Sequence, residues 1–136
     1  MAPPKWAQDL LLDALTWWES QGNDIPNITL TWRRGRQSWS SGRAFCDRIV
    51  VTAGSDRIDT KVVLLHEIAH VLNPGVHHGA RFWDTAWTLY RWARLPVRYC
   101  RQREHEYRGA SLAYARSRKP SGKSMTQGLG KRKTRD

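Results

Sequence analysis

The chain has 136 residues, 40% of them hydrophobic, which favours one folded domain rather than several. Its formal net charge is +11, and no apolar run approaches the ~20 residues that span a bilayer, so we exclude an integral membrane protein. The two cysteines, Cys46 and Cys100, lie far apart in the sequence, which excludes a CxxC zinc ribbon and a disulfide framework.

The first part of the chain alternates between helical and extended patterns. Apolar residues at helical spacing predict a helix over residues 5–21, which Gly22 ends. Residues 27–33 alternate apolar and polar side chains, which predicts a half-buried strand, and residues 43–52 predict a second strand. The polar, glycine-flanked residues 35–42 between them predict a loop or a hairpin connection.

A second helix follows the strands. Asp59 or Thr60 is predicted to cap its first turn, and proline and glycine in residues 73–75 end it after Leu72. One apolar stripe of this helix is expected to face the core and to leave the histidines of the same helix on the opposite side. The stripe consists of Leu64, Leu65, Ile68, Val71 and Leu72.

Two more helices are predicted, over residues 80–94 and 97–115, with Pro96 interrupting the pattern between them. Together the elements predict an α+β fold in which a small antiparallel sheet or hairpin is packed by about four helices. Eight tryptophans are spread over most of the chain, and they either fill a small core or line a binding groove.

Most of the positive charge lies at the C-terminal end. Residues 116–136 hold eight Lys or Arg and one acidic residue, which leaves a net charge of only +4 for residues 1–115. We therefore expect a folded domain over residues 1–115 and a basic, disordered tail over residues 116–136. Such a tail either contacts the phosphates of nucleic acid or only keeps the chain in solution. The N-terminal residues do not resemble a signal peptide, so we expect a cytoplasmic protein, with nucleoid or nuclear association if it binds nucleic acid.

The chemistry-bearing motif is HExxH in the second predicted helix. His66 and His70 are four residues apart, so on a helix their side chains project from the same face and can bind one metal ion. Glu67 lies beside them, where a carboxylate can act as a base on a metal-bound water. The pattern predicts a zinc site with His66 and His70 as ligands and Glu67 as the catalytic base.

A catalytic zinc site usually has three protein ligands, and the sequence offers several candidates for the third. His77 and His78 follow the turn directly, and adjacent residues on a turn point in different directions, so we expect only one of them to bind. Glu104 and Glu106 are more distant candidates, although their charged surroundings favour a solvated position.

The segment from the HExxH helix to His78-Gly79-Ala80-Arg81-Phe82-Trp83 resembles the minimal metalloprotease domain of the SprT-like family, with a similar pattern in the related WLM and YgjP-like groups. The resemblance covers residues 48–87. It implies a zincin-like fold, zinc binding by His66, His70 and His78, and catalysis by Glu67. The chain lacks the zinc ribbon that often accompanies this domain, so the resemblance carries little information about a DNA-linked role.

We therefore expect a zinc metallopeptidase that hydrolyses a protein or peptide substrate, with no membrane partner and, by default, a monomeric state. The tetrahedral oxyanion formed during hydrolysis would need one further hydrogen-bond donor. The sequence spacing does not rank the candidate donors, which are Tyr90, Tyr99, His105 and Tyr107.

The alternatives are a zinc-containing nucleic-acid-binding or regulatory protein that does not cleave, and a purely structural zinc with His77 as a fourth ligand. For the nucleic-acid-binding alternative, the last predicted helix has a basic side that contains Arg98, Arg101, His105 and Arg108.

Overall fold

The computed structural model of the chain describes residues 2–33, 42–53, 56–104, 109–110 and 113–114. These residues contain four helices and three strands, which confirms the predicted α+β class. In chain order the elements are α1 (Lys5–Ser20), β1 (Thr29–Arg33), β2 (Gly42–Ala44), β3 (Arg48–Thr52), α2 (Arg57–Leu72), α3 (Ala80–Trp92) and α4 (Val97–Arg103).

Some predicted features lie outside the described residues. They include the basic tail and, apart from Gly42, the loop predicted at residues 35–42. The helix predicted over residues 97–115 is described as α4 and as helical residues at 109–110 and 113–114. Within the described part of the chain, no helix has the length and apolar character needed to cross a membrane.

The sheet is mixed, so the prediction of an antiparallel sheet was wrong for one of its two strand pairs. The strand order is β1-β3-β2. β1 runs parallel to β3, with Trp32 opposite Val51, and β2 runs antiparallel to β3, with Gly42 opposite Val51. β3 is the central strand, and its residues Ile49 and Val51 are fully buried.

A short hairpin explains this difference. Residues 43–52 were predicted as one strand, but the chain reverses at residues 45–47, where the Phe45 amide donates to the Arg48 carbonyl at 2.7 Å. The turn has no glycine or proline, the residues that usually mark such reversals in a sequence. One additional reversal changes the direction of β3 relative to β1 from antiparallel to parallel.

The N-terminal cap of α2 is Asp56, not Asp59 or Thr60. The Asp59 amide donates to the Asp56 side chain at 2.7 Å, which satisfies one of the amides that a helix leaves unpaired in its first turn. Asp59 and Thr60 lie inside the helix. Tyr99 and Arg103 of α4 both contact the Asp59 carboxylate, at 3.1 and 2.9 Å, so Asp59 connects the two helices.

Helix α2 is the central helix of the fold. It packs against α1, α3, β2 and β3, and it is therefore buried on more sides than the single predicted stripe. Besides that stripe, Val62, Val63 and Ala69 are buried as well, while Leu72 is only half-buried. The histidines lie on the part of the helix surface that faces the start of α3.

The described tryptophans mostly support the core-filling interpretation. Trp32, Trp83 and Trp87 are buried, and the other described tryptophans are half-buried. Trp39 lies outside the described residues. The Trp87 indole donates to the Ala110 carbonyl at 2.9 Å, which holds residues 109–110 against α3.

Candidate metal centre

Three histidine rings converge at one end of the central helix. His66 and His70 lie one turn apart on α2, and His78 lies in the turn that leads into α3. The Nε2 atom of His78 is 3.2 Å from the Nε2 atoms of both His66 and His70. The three residues form a group whose ligand atoms all lie within 4.8 Å of one another, close enough to bind a single metal ion.

The turn between α2 and α3 positions His78. Asn73 ends α2, and its buried side-chain amide donates to the Ala69 carbonyl at 2.9 Å and to the Thr85 hydroxyl at 3.0 Å. Gly75 then has a positive φ of 78°, which glycine adopts without strain. The contacts of Asn73 join the end of α2 to α3, so the turn has a defined direction.

His77 lies outside the cluster. Its side chain is exposed, and its φ of 55° is in the left-handed region, so the backbone turns sharply just before His78. This geometry separates the directions of the two adjacent side chains. It places His78, the candidate favoured by the family resemblance, beside His66 and His70.

Aromatic rings pack around the histidines. The Phe82 ring stacks on His70 with a centroid distance of 4.2 Å, and the Trp83 ring stacks on His78 at 5.7 Å. Both aromatic side chains are fully buried. Because the imidazole rings pack against rigid neighbours from α3, their orientations are restricted before any ligand binds.

The same surroundings keep His70 and His78 uncharged. Burial, followed by the nearby His66 and His78 rings, lowers the pKa of His70 to about 3. Burial, and then His66, also lowers the pKa of His78. An uncharged imidazole has a lone pair available for a metal ion, so both residues are in the form that binds metal at neutral pH.

Glu104 is buried, contrary to the solvated position expected from its charged neighbourhood in the sequence. Only 5% of its surface is exposed, and its Oε2 atom lies 2.7 Å from Nδ1 of His66. Glu104 therefore contacts Nδ1 of His66, whereas Nε2 of the same ring lies near His78. A signal was present in the sequence, because Glu104 follows the buried Cys100 by four residues and so shares its helix face.

Glu67 lies between the two α2 histidines in the sequence and is itself buried, with 7% of its surface exposed. Burial raises the pKa of its carboxyl to about 7, an effect that His66 opposes and Glu104 reinforces. Gly42 of β2 packs against it: a Cβ atom at Gly42 would lie 2.9 Å from Cγ of Glu67 and 2.8 Å from a methyl carbon of Val63. Gly42 was predicted only as the end of a loop, so its contact with Glu67 was not expected from the sequence.

Two of the four proposed oxyanion donors are engaged elsewhere. The Tyr90 hydroxyl is buried and donates to Oε2 of Glu104 at 2.7 Å, and the Tyr99 hydroxyl donates to Asp59. Each of these hydroxyls therefore already has a carboxylate partner, and the structure does not single out either tyrosine as the oxyanion donor. The other two donors, His105 and Tyr107, lie outside the described residues, as does Glu106.

Comparison of the chain with protein-family models, with curated proteins and with solved structures finds no match in any of the three. The resemblance to the SprT-like family therefore stays a prediction based on the HExxH and HGxxFW segments.

Proposed function

We propose that this chain is a zinc-dependent metallopeptidase. The observation that carries the proposal is the triangle of Nε2 atoms from His66, His70 and His78, two sides of which measure 3.2 Å. A tetrahedral zinc ion with Zn–N bonds of ~2.1 Å separates its ligand nitrogens by about 3.4 Å, which is close to these two distances. The donor set also fits, because neutral imidazole is a preferred ligand of this ion.

The proposed chemistry is amide hydrolysis. Zinc bound by the three histidines would supply a Lewis acid that polarises a carbonyl and acidifies water. Glu67 would accept the proton of the attacking water and return it to the leaving amine, a role that requires a carboxyl group held beside the metal ligands. A carboxyl group at this place has no use in a closed structural zinc site, which argues against the structural alternative.

The first experiment measures zinc content and peptide-bond cleavage together. Purified protein is loaded with zinc and mixed with casein as an unstructured substrate, and the wild type is compared with Glu67→Gln, which should retain zinc and lose cleavage by at least ~100-fold. Equal cleavage by both proteins would indicate a contaminating protease and would contradict the proposal. A wild type that binds zinc but leaves casein intact would also contradict it.

A matched pair of variants tests the third ligand. His78→Ala removes a ring from the cluster and should reduce bound zinc to well below one ion per chain, whereas His77→Asn should leave zinc content unchanged. Asparagine is chosen because it tolerates the positive φ of residue 77. If His77→Asn rather than His78→Ala loses the metal, the proposed ligand set is wrong.

A second candidate function is nucleic-acid binding, either by itself or to recruit the peptidase. The observation that favours it is a basic surface on α3 and α4. The guanidinium groups of Arg91 and Arg101 lie 5.8 and 4.6 Å from the ring of Tyr114, and Arg98 is exposed one turn before Arg101.

Binding to duplex DNA should weaken as the salt concentration rises and should persist in Glu67→Gln. Binding that is insensitive to salt, or that is unchanged by deletion of residues 117–136 together with Arg98→Gln and Arg101→Gln, would contradict it.

A further inference from the structure

The carboxylate of Glu104 joins two buried side chains. Its Oε2 atom lies 2.7 Å from the Tyr90 hydroxyl and 2.7 Å from Nδ1 of His66. We infer that Glu104, itself held by Tyr90, is a positioning residue that sets the tautomer and ring orientation of His66 and thereby the metal affinity of the site. The inference rests on the metal-binding part of the proposed function and is independent of whether the protein cleaves peptides.

The chemistry of the groups gives the direction of the two hydrogen bonds. The Tyr90 hydroxyl has one proton and donates it to Oε2 of Glu104. The same oxygen lies 2.7 Å from Nδ1 of His66. Because a carboxylate oxygen accepts, the Nδ1 atom of His66 is the donor in this second hydrogen bond.

This assignment determines which nitrogen of His66 can bind a metal. With the proton on Nδ1, the lone pair of the neutral ring is on Nε2, the atom that lies 3.2 Å from Nε2 of His78. If the proton moved to Nε2, that nitrogen could no longer bind a metal ion. A hydrogen bond from a ligand histidine to a carboxylate also raises the basicity of the ligand and restricts its rotation.

Glu104 is held in this position from two directions. It follows the last residue of α4 directly, and α4 is anchored on the first turn of α2 by the contacts of Tyr99 and Arg103 with Asp59. Tyr90 approaches from α3. The carboxylate is therefore positioned by α3 and α4, whereas His66 belongs to α2, and the metal site depends on how these three helices dock.

The experiment has two readouts, neither of which requires cleavage. Long-range ¹H–¹⁵N NMR of the metal-free protein at pH 8 reports the tautomer of His66, and competition with a chromophoric chelator reports zinc affinity. We expect the Nδ1–H tautomer in the wild type. Glu104→Gln should increase the Nε2–H population and weaken zinc binding by ~10- to 100-fold. Tyr90→Phe should retain the tautomer and cause a smaller loss of affinity.

Ile49→Val is the control, because Ile49 is fully buried in β3, a strand that contributes no residue to the histidine cluster. It should lower stability and leave zinc affinity unchanged, which separates positioning from a general loss of packing. An Nε2–H tautomer in the metal-free wild type would overturn the inference. So would a zinc affinity of Glu104→Gln within twofold of the wild type. If the wild type binds zinc but cleaves nothing, only the peptidase proposal fails.

Discussion

Glu67 and Glu104 are two buried carboxyl groups near His66, and their surroundings shift their pKa values in opposite directions. Burial raises the pKa of Glu67 to about 7. Burial also acts on Glu104, but the hydrogen bonds that it accepts from His66 and Tyr90 outweigh burial and lower its pKa. A group that can exchange a proton near neutral pH suits a base, whereas a carboxyl group whose pKa is lowered suits a hydrogen-bond acceptor. The two carboxyl groups therefore fit different roles.

The contact between Gly42 and Glu67 leads to a prediction for a single substitution. Gly42→Ala would place a Cβ atom 2.8 Å from Val63 and 2.9 Å from Glu67, closer than packed carbon atoms approach. We expect a loss of stability of about 1–3 kcal/mol and a displaced Glu67 side chain. Zinc content should be retained while casein cleavage falls. A variant with wild-type cleavage and an unchanged Tm would show that β2 does not constrain Glu67.

The two cysteines should differ sharply in reactivity. Cys46 is exposed, whereas Cys100 is completely buried and burial raises its pKa to about 12. Because the thiolate is the reactive form, a thiol reagent at pH 8 should label one cysteine per folded chain and two after denaturation. Cys46→Ser should then show no rapid labelling. Labelling of two thiols in the native protein would contradict the burial of Cys100.

At the scale of the elements, α2 determines the arrangement of the site. It is apolar on most of its surface, so it lies in the middle of the fold with α1, α3 and the sheet around it. A helix buried in this way cannot shift along its axis without losing contacts on several sides. The two histidines at its end are therefore presented in one fixed register to the turn that contains His78.

The cap of α2 gives a prediction for this element. Asp56→Ala removes the acceptor of the Asp59 amide and should lower stability by ~1 kcal/mol, which corresponds to a fall in Tm of roughly 4 °C. Asp9→Ala is the control, because it breaks only the exposed pair of Lys5 and Asp9 and should leave Tm unchanged. If both variants have the same Tm, the Asp56 hydrogen bond does not contribute to stability.

For the whole molecule, a bound metal would link two helices through the turn between them. His66 and His70 belong to α2 and His78 directly precedes α3, so binding of one ion by all three side chains opposes the separation of these helices. Because the unfolded chain does not hold the three rings together, metal binding favours the folded state.

We therefore predict that zinc raises the Tm and that a chelator reverses the increase. At a free zinc concentration 100 times the dissociation constant, the stabilisation is about 2.7 kcal/mol, or roughly 10 °C in Tm. Calorimetry with and without zinc measures the effect. His78→Ala should abolish it and His77→Asn should retain it. An identical Tm for the wild type with and without zinc would contradict metal binding at this cluster.

Local patterns were sufficient to predict most of the helices, since α1, α2 and α3 have clear apolar periodicity and are ended by glycine or proline. They were also sufficient to select the HExxH residues, because the spacing of i and i+4 on a helix brings His66 and His70 together whatever the rest of the fold does. The hairpin at residues 45–47 was missed because its turn lacks the usual glycine or proline signal.

By itself, then, the sequence determined the α+β class, the central helix and two members of the histidine cluster, because these depend on contacts within a few residues. Only the tertiary structure decided what depends on distant contacts. The turn backbone placed His78, which only the family resemblance had favoured over His77, beside His66, and the docking of α4 buried Glu104 against the same ring. Such contacts join residues 12 and 38 positions apart, and no local periodicity encodes which side chains will meet across that distance.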